Sequence, residues 1–324
     1  MRMEKPRKPR PLKAGGRVRV VAPASPMERG RFDAGCRELA RLGYSVGHTE
    51  RVFAVSGFFA GTKDERATDL ADSLNDAQAG AVIYARGGYG TDQLLPLPPG
   101  IDAGRVKLLV GYSDATSLQI YLWQKYGWVT IYGPMVATGL DHGEGKPGGY
   151  DGESLRRAVA EVDGGWTIPL EGSELVGGEG EGAILGGCMT MLEDTIGTPW
   201  EIDTRGAILL LEDCLMKPYQ VDRALMHLRH SGKFEAVRGI VFGEFPACEP
   251  PEGSRVTVEE VTARHTRGLG VPVVWGAAIG HSRRAMRTVP LGVRGRLRAD
   301  GAGVLEILEP ACAESEEDQA GKAE

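Results

Sequence analysis

Residues 107–116 read KLLVGYSDAT, and what flanks that stretch decides the fold. Residues 106–110 are a short apolar run that Gly111 closes, which is the pattern of a buried strand. Residues 114–126 then read as a helix, so Ser113 stands on a strand-to-helix turn, where a serine Oγ can be held exposed on a sharp bend. Outward from there, residues 128–132 form another strand. Upstream, the apolar run 81–85 ends in the glycine cluster ARGGYG at 85–90. Earlier still, the run 18–22 stops at Pro23, and 27–42 has helical periodicity closed by Gly43. A further helix opens at Thr62, where Thr62 and Glu65 match a capping box. Strands alternating with helices indicate an α/β layer with a largely parallel sheet, whose ligands lie at the carboxyl ends of the strands.

The chain has 324 residues, enough for two domains. Its 47 glycines are about twice the usual ~7% share. From 139 to 182 the composition turns polar and glycine-rich, with DHGEGKPGGYDG at 141–152 and GGEGEG at 177–182 around one short helix near 153–162. This segment reads as a linker region. Beyond it the alternation resumes: strands at 183–185, 207–211, 239–242, 271–277 and 304–308, and helices near 189–196, 219–230 and 258–267. The expected division is a basic disordered tail at 1–16, an N-terminal domain at 17–138, the linker region at 139–182, a C-terminal domain at 183–310 and an acidic disordered tail at 311–324.

Charge and cysteine narrow the class. The net charge of -6 gives the chain no overall footprint for phosphate backbones, so nucleic acid is not expected as a partner. The exception is the first seventeen residues, with seven Arg/Lys against one Glu, for which a polyanion-binding arm is the alternative to a solvated tail. No secretory h-region and no run of 18 apolar residues is present, so no membrane partner is expected and a cytoplasmic protein is. The five cysteines never form a C-x-x-C pair and read as reduced thiols.

Several residues can carry chemistry. Ser113 has a helix-start neighbour, Asp114, whose backbone N–H is free to donate to an oxyanion. A plain Ser/Asp helix cap accounts for the same residues. In the glycine cluster, Gly88 or Gly87 can bring a second N–H to a ligand, although a bland tight turn also explains the pair. A serine nucleophile needs a base and the base an orienting group. His227 and His230 have a metal-compatible spacing, yet the buried stripe of their helix places both on the surface, and no metal is expected. His281 instead follows the apolar strand VPVVWGAAIG, just past a strand's carboxyl end. Glu212 leaves the apolar run 208–211 in the same way, with Asp213 as an adjacent decoy and an ion pair with Lys217 as the alternative. No G-x-G-x-x-G follows the first strand, so no dinucleotide cofactor is expected.

With these residues in place, the chain resembles the LD-carboxypeptidase family, the serine peptidases that include muramoyl-tetrapeptide carboxypeptidases and microcin self-immunity peptidases. The matching pieces are VAPASP (21–26), ARGGYG (85–90), VGYSDAT (110–116), YGPM (132–135), LGG (185–187) and GTPWEID (197–203). They continue in family order with LLLEDCLMKPYQVDRAL (209–225), GIVFGEF (239–245), IGH (279–281) and TVPLG (288–292). The resemblance implies Ser113 as nucleophile, Glu212 as triad carboxylate and His281 as general base, with the amides of Gly88 and Asp114 as oxyanion hole. It implies an α/β fold with a flavodoxin/Rossmann-like N-terminal parallel-sheet domain and a smaller C-terminal α/β domain, usually in a homodimer. The implied activity is release of terminal D-alanine from murein tetrapeptides, with a microcin-type peptidase or a non-catalytic binding protein on the same scaffold as alternatives. Arg86, Arg283 and Arg284 are candidates for the substrate carboxylate, with an exposed solubilising role as the favoured alternative for each. Two departures stand out: Cys188 replaces the asparagine usual after the paired glycines, and SRRAMR after His281 is unusually basic.

Overall fold

A computed structural model describes residues 6–98, 100–102 and 104–314. In the first half the elements are β1 (Arg17–Val21), α1 (Arg29–Arg41), β2 (Ser45–Gly47), α2 (Lys63–Asn75), β3 (Ala81–Tyr84), β4 (Leu108–Gly111), α3 (Ala115–Tyr126) and β5 (Thr130–Tyr132). There follow α4 (Gly152–Ala160), β6 (Trp166–Pro169), β7 (Ser173–Val176), β8 (Gly178–Cys188), α5 (Met189–Thr195), β9 (Ala207–Glu212) and α6 (Pro218–His230). The chain continues through β10 (Gly239–Gly243), α7 (Val258–Thr266), β11 (Val273–Ala277), β12 (Val289–Leu291), β13 (Arg294–Ala299) and β14 (Val304–Ile307). Two sheets result, one in the order β12-β5-β4-β3-β1-β2 and one in the order β6-β14-β13-β8-β9-β10-β11-β7. β1 to β5 run parallel, as do β8 to β11. The α/β expectation therefore holds, although the second sheet has more strands than the first.

The helix that follows Ser113 is the hinge of the architecture. Residues 115–123 of α3 are buried without interruption, because one side of the helix lies on the first sheet and the other on α5 and β8. A helix with no solvent face is a core helix. Its one buried amide, Gln119, donates to the carbonyls of Gly111 and Ile131, both at 3.0 Å. The halves are also stitched by β12, which comes from late in the chain and pairs antiparallel with β5, placing Val289 opposite Tyr132.

Three expectations are corrected. The stretch 177–182 is not linker: from Gly178 it is the start of β8, and β6 and β7 join the same sheet. Glycine is needed there for close approach, since a Cβ on Gly180 would lie 1.8 Å from Arg238 O and one on Gly182 2.1 Å from Gly206 O. The alternating glutamates pair across the sheet, Glu181 with Arg294 at 3.2 Å and Glu179 with Arg296 at 3.3 Å. Gly180→Ala is expected to cost about 1–3 kcal/mol, as overpacking does, measurable as a lower denaturant midpoint.

The described parts of both tails are docked as well. Arg7 pairs through its backbone with Gly127 (2.8 Å) and Val129 (2.9 Å), Leu12 is buried, and Lys8 meets Glu309 at 2.8 Å. Ala311 and Cys312 are buried, and Ala313 N–H donates to Pro9 O at 2.9 Å. Residues 1–5 and 315–324, the remainder of the expected tails, lie outside the described residues. All five cysteines are free thiols.

Candidate active site

The site is assembled where the parallel strands of both sheets end. β4, buried at every position, delivers Gly111, where any Cβ would lie 2.8 Å from Ala115 Cβ. The turn that follows puts Ser113 at φ 62°, a left-handed conformation that costs a non-glycine residue about 1–2 kcal/mol. Such local strain is typical of a nucleophile held on a sharp elbow. Asp114 caps α3 with its backbone, and its N–H has no hydrogen-bond partner among the described residues.

The glycine loop after β3 closes over this elbow. A Cβ on Gly87 would lie 2.8 Å from Ser113 Cβ, 2.9 Å from its Oγ and 3.4 Å from Asp114 N, so only glycine fits. The N–H groups of Gly87 and Gly88 have no partner among the described residues either. The Asp114 carboxylate holds the loop in place. It accepts from the N–H of Gly90 and of Thr91, both at 3.0 Å, and from the Thr91 hydroxyl. Arg66, buried, ties the two neighbouring loops together by donating to the carbonyls of Pro23 and Gly90. The unpartnered N–H groups of Gly87, Gly88 and Asp114 thus lie on the two segments that meet at Ser113, an arrangement that suits a developing oxyanion.

Glu212 and His281 come from the other half. Glu212, 1% exposed, ends β9, and space for its carboxylate is cleared by Gly243 and Gly280, where a Cβ would lie 2.5 Å from Glu212 Cβ and 2.3 Å from its Cδ. Glu212 Oε2 accepts from the backbone N–H of His281 at 2.9 Å and lies 2.7 Å from its Nδ1. Burial opposes the Glu212 charge, but His281 and the hydrogen bonds from His281 and Tyr132 outweigh it and hold the carboxyl below its usual ionisation. Burial likewise opposes an imidazolium, yet the Glu212 charge and the side chains of Cys214 and Glu212 outweigh it and raise His281 well above an ordinary histidine.

Glu212 therefore pairs with His281 and not with Lys217, whose ammonium reaches Glu249 O at 3.5 Å. Asp213 turns away, accepting from Thr190 N (2.9 Å), Thr190 Oγ1 (2.7 Å) and Cys214 N (2.8 Å). The Ser113 hydroxyl has no hydrogen-bond partner among the described residues, and nucleophile-to-base contacts commonly tighten only with substrate bound.

Two tyrosines join the three residues, and the sequence reading passed over both. Tyr132, fully buried at the end of β5, donates its hydroxyl to Glu212 Oε1 and accepts the Ser113 N–H at 3.4 Å. Burial and the Glu212 charge keep its phenol protonated, so it remains a donor. Tyr112 packs edge-on against the His281 ring at 5.0 Å between centroids. The only sequence signal for Tyr132 is its place before Gly133 and Pro134, since a tyrosine closing an apolar strand otherwise reads as core.

The remaining candidates are placed as follows. Arg283 Nη2 meets Glu249 at 2.9 Å, while the Arg284 guanidinium is taken up by Glu244, Glu171 and the Gly276 carbonyl. Both already have anionic partners within the chain, so neither is a free cation for a substrate. Arg86 contacts Pro26 and has no such partner among the described residues. His227 sits 3.0 Å from Glu193, and among the described residues no group of three His, Cys, Asp or Glu side chains is placed to hold a metal.

Residues 18–133 match the model of the LD-carboxypeptidase N-terminal domain and residues 181–297 that of its C-terminal domain. A Bacillus subtilis protein named "Probable murein peptide carboxypeptidase" is 34% identical over 306 residues, which cover 92% of this chain and 94% of that protein. The chain belongs to the LD-carboxypeptidase family. It is a serine-type carboxypeptidase, as the family's carboxypeptidase-named members are. The murein tetrapeptide carboxypeptidase of Pseudomonas aeruginosa is 31% identical over 281 residues, covering 82% of this chain and 88% of that one. The solved structure of the microcin C7 self-immunity protein MccF shares the fold, with a TM-score of 0.86 at 24% identity over 95% of this chain and all of that one.

Proposed function

We propose that this LD-carboxypeptidase family member is a serine L,D-carboxypeptidase that releases terminal D-alanine from murein tetrapeptides through Ser113, His281 and Glu212. The observation that carries the reading is the buried Glu212–His281 pair beside a serine held at positive φ under unpaired backbone N–H groups. In the first step His281, oriented by Glu212, takes the Ser113 proton as Oγ bonds to the carbonyl carbon preceding D-alanine. The oxyanion that forms is held by the N–H groups of Asp114 and of Gly88, with Gly87 N–H adjacent. The C–N bond then breaks, and His281 returns the proton to the departing amine. Water, deprotonated by the same imidazole, hydrolyses the acyl-serine and restores the enzyme.

A muropeptide substrate is supported by the names of the murein carboxypeptidases at 34% and 31% identity and by the arginine in ARGGYG, which resembles the muropeptide branch of the family more than the microcin branch. The second reading, a microcin-type peptidase acting on a peptidyl or aminoacyl adenylate mimic, is favoured by the MccF likeness. Side-by-side assay of both substrates separates them. Mass-spectrometric detection of D-alanine from a defined tetrapeptide tests the main reading. Activity is expected to persist in a strong chelator, because every step is assigned to side chains and backbone amides of the chain. Loss in chelator with recovery on adding zinc would overturn it.

The same proposal includes a role in peptidoglycan recycling and a homodimer, as the family resemblance implies, and the cytoplasmic location expected from the sequence. Among the described residues no helix is long and apolar enough to cross a membrane. Sedimentation of the purified chain tests the dimer.

A further inference from the structure

An enzyme that removes only the last residue has to recognise a free carboxylate, and the chain provides a cation that has no anionic partner among the described residues. Arg86 leaves β3 between the glycine loop and Pro26. Its Nη1 donates to Pro26 O at 3.0 Å, its Nε is buried with no partner, and among the described residues it has no carboxylate partner. The other arginines nearby are taken: Arg66 by backbone carbonyls and Gln93, Arg283 by Glu249, and Arg284 by Glu244 and Glu171.

Arg86 is also in the right place. A Cβ on Gly88 would lie 2.4 Å from Ser25 Oγ and 3.7 Å from Arg86 Nη2, so the guanidinium and the Ser25 hydroxyl both lie against Gly88. Ser25 Oγ accepts the Tyr89 N–H at 3.2 Å, which leaves its own hydrogen to donate. Gly87, one residue earlier, abuts Ser113 Oγ, and consecutive Cα atoms are about 3.8 Å apart. In the substrate the terminal carboxyl carbon is three bonds from the carbonyl carbon under attack. Adjacent residues of one loop thus face the two groups, Gly87 the nucleophile side and Gly88 the guanidinium, as a substrate whose two groups are only three bonds apart requires.

We propose that Arg86, with the Ser25 hydroxyl, receives the free α-carboxylate of the departing residue and so confines cleavage to the terminal peptide bond. The inference rests on the serine carboxypeptidase reading above. A planar guanidinium is suited to this task because it can grip both carboxylate oxygens in one charge-assisted fork. A substrate ending in a neutral amide would leave the fork unpaired, which is how a polar subsite rejects an analogue.

The test compares Arg86→Gln with the unaltered enzyme on a tetrapeptide ending in free D-alanine and on the same peptide ending in D-alanine amide. Glutamine keeps an N–H for Pro26 O and loses the charge. The unaltered enzyme is expected to prefer the acid by about 100-fold or more in kcat/KM. Arg86→Gln should lose most of that preference, falling about 100-fold on the acid and less than threefold on the amide. Labelling of Ser113 by a small, carboxylate-free fluorophosphonate should proceed at an unchanged rate. Equal losses on both peptides, an unaltered enzyme indifferent to the C-terminal group, or collapse of labelling in Arg86→Gln would each overturn the proposal. Failure of the underlying reading looks different: Ser113 would not label in the unaltered enzyme, and Ser113→Ala would keep hydrolysing the acid.

Discussion

Ser113→Gly is expected to abolish hydrolysis and to leave the protein more stable than Ser113→Ala. Both variants lack the proposed nucleophile, and loss of such a residue lowers kcat by about 10⁵–10⁶-fold in enzymes of the proposed mechanism. They differ in the backbone. Alanine inherits the φ of 62° at position 113, whereas glycine adopts positive φ without a Cβ penalty. That relief is about 1–2 kcal/mol. It is partly offset by the greater freedom of glycine in the unfolded chain, about 0.4–1 kcal/mol. The net expectation is a glycine variant about 0.5–1 kcal/mol more stable than the alanine variant, the reverse of the order inside a helix. Denaturant titration of the two variants, with tetrapeptide turnover as the second measurement, checks both halves. An alanine variant at least as stable as the glycine one would show that the elbow stores no strain.

Glu212→Gln is the second large effect. Removing the charge deprives His281 of the group that fixes its tautomer and stabilises its protonated form, and comparable substitutions cost about 10³–10⁴-fold in kcat. The pH profile should move in a set direction. A general base works when neutral, so kcat/KM rises with pH through the His281 ionisation. In the unaltered enzyme that ionisation is raised by Glu212 against the opposing effect of burial, which puts the acid limb above the ordinary imidazole value of about 6.5. Without the charge, burial prevails and the limb shifts to lower pH, while Tyr112 and Cys214 still face the ring in both enzymes. A limb that stayed in place, or moved to higher pH, would remove His281 as the titrating base.

The contrast between what the sequence disclosed and what it hid follows the range of the interactions concerned. Ser113 was legible because its signal is local: an apolar strand, a glycine and a helix start lie within ten residues. Glu212 and His281 were legible as residues that follow buried strands. Their pairing was legible only through the family resemblance, because 69 positions separate them and Lys217 was an alternative partner for Glu212. Tyr132 was passed over for the same reason, since its meaning lies in a carboxylate 80 positions away. The glycines of β8 misled the reading outright. Composition reports flexibility, whereas here glycine marks the close passage of the Arg238 and Gly206 carbonyls. The two tails read as disordered because their charge was visible and their docking partners, Trp128 and Glu309 among them, were distant.

The pairing of β12 with β5 bears on how the enzyme comes into being. A chain emerging from the ribosome can form β1 to β5 once residue 132 is out, and domains generally fold in that order. The edge of that first sheet stays uncovered, with Tyr132 separated from its carboxylate acceptor Glu212 by 80 positions and from its cross-strand neighbour Val289 by more than 150. On the proposed mechanism the nucleophile is thus made early and armed last: a chain ending before residue 281 would carry Ser113 without its proposed base.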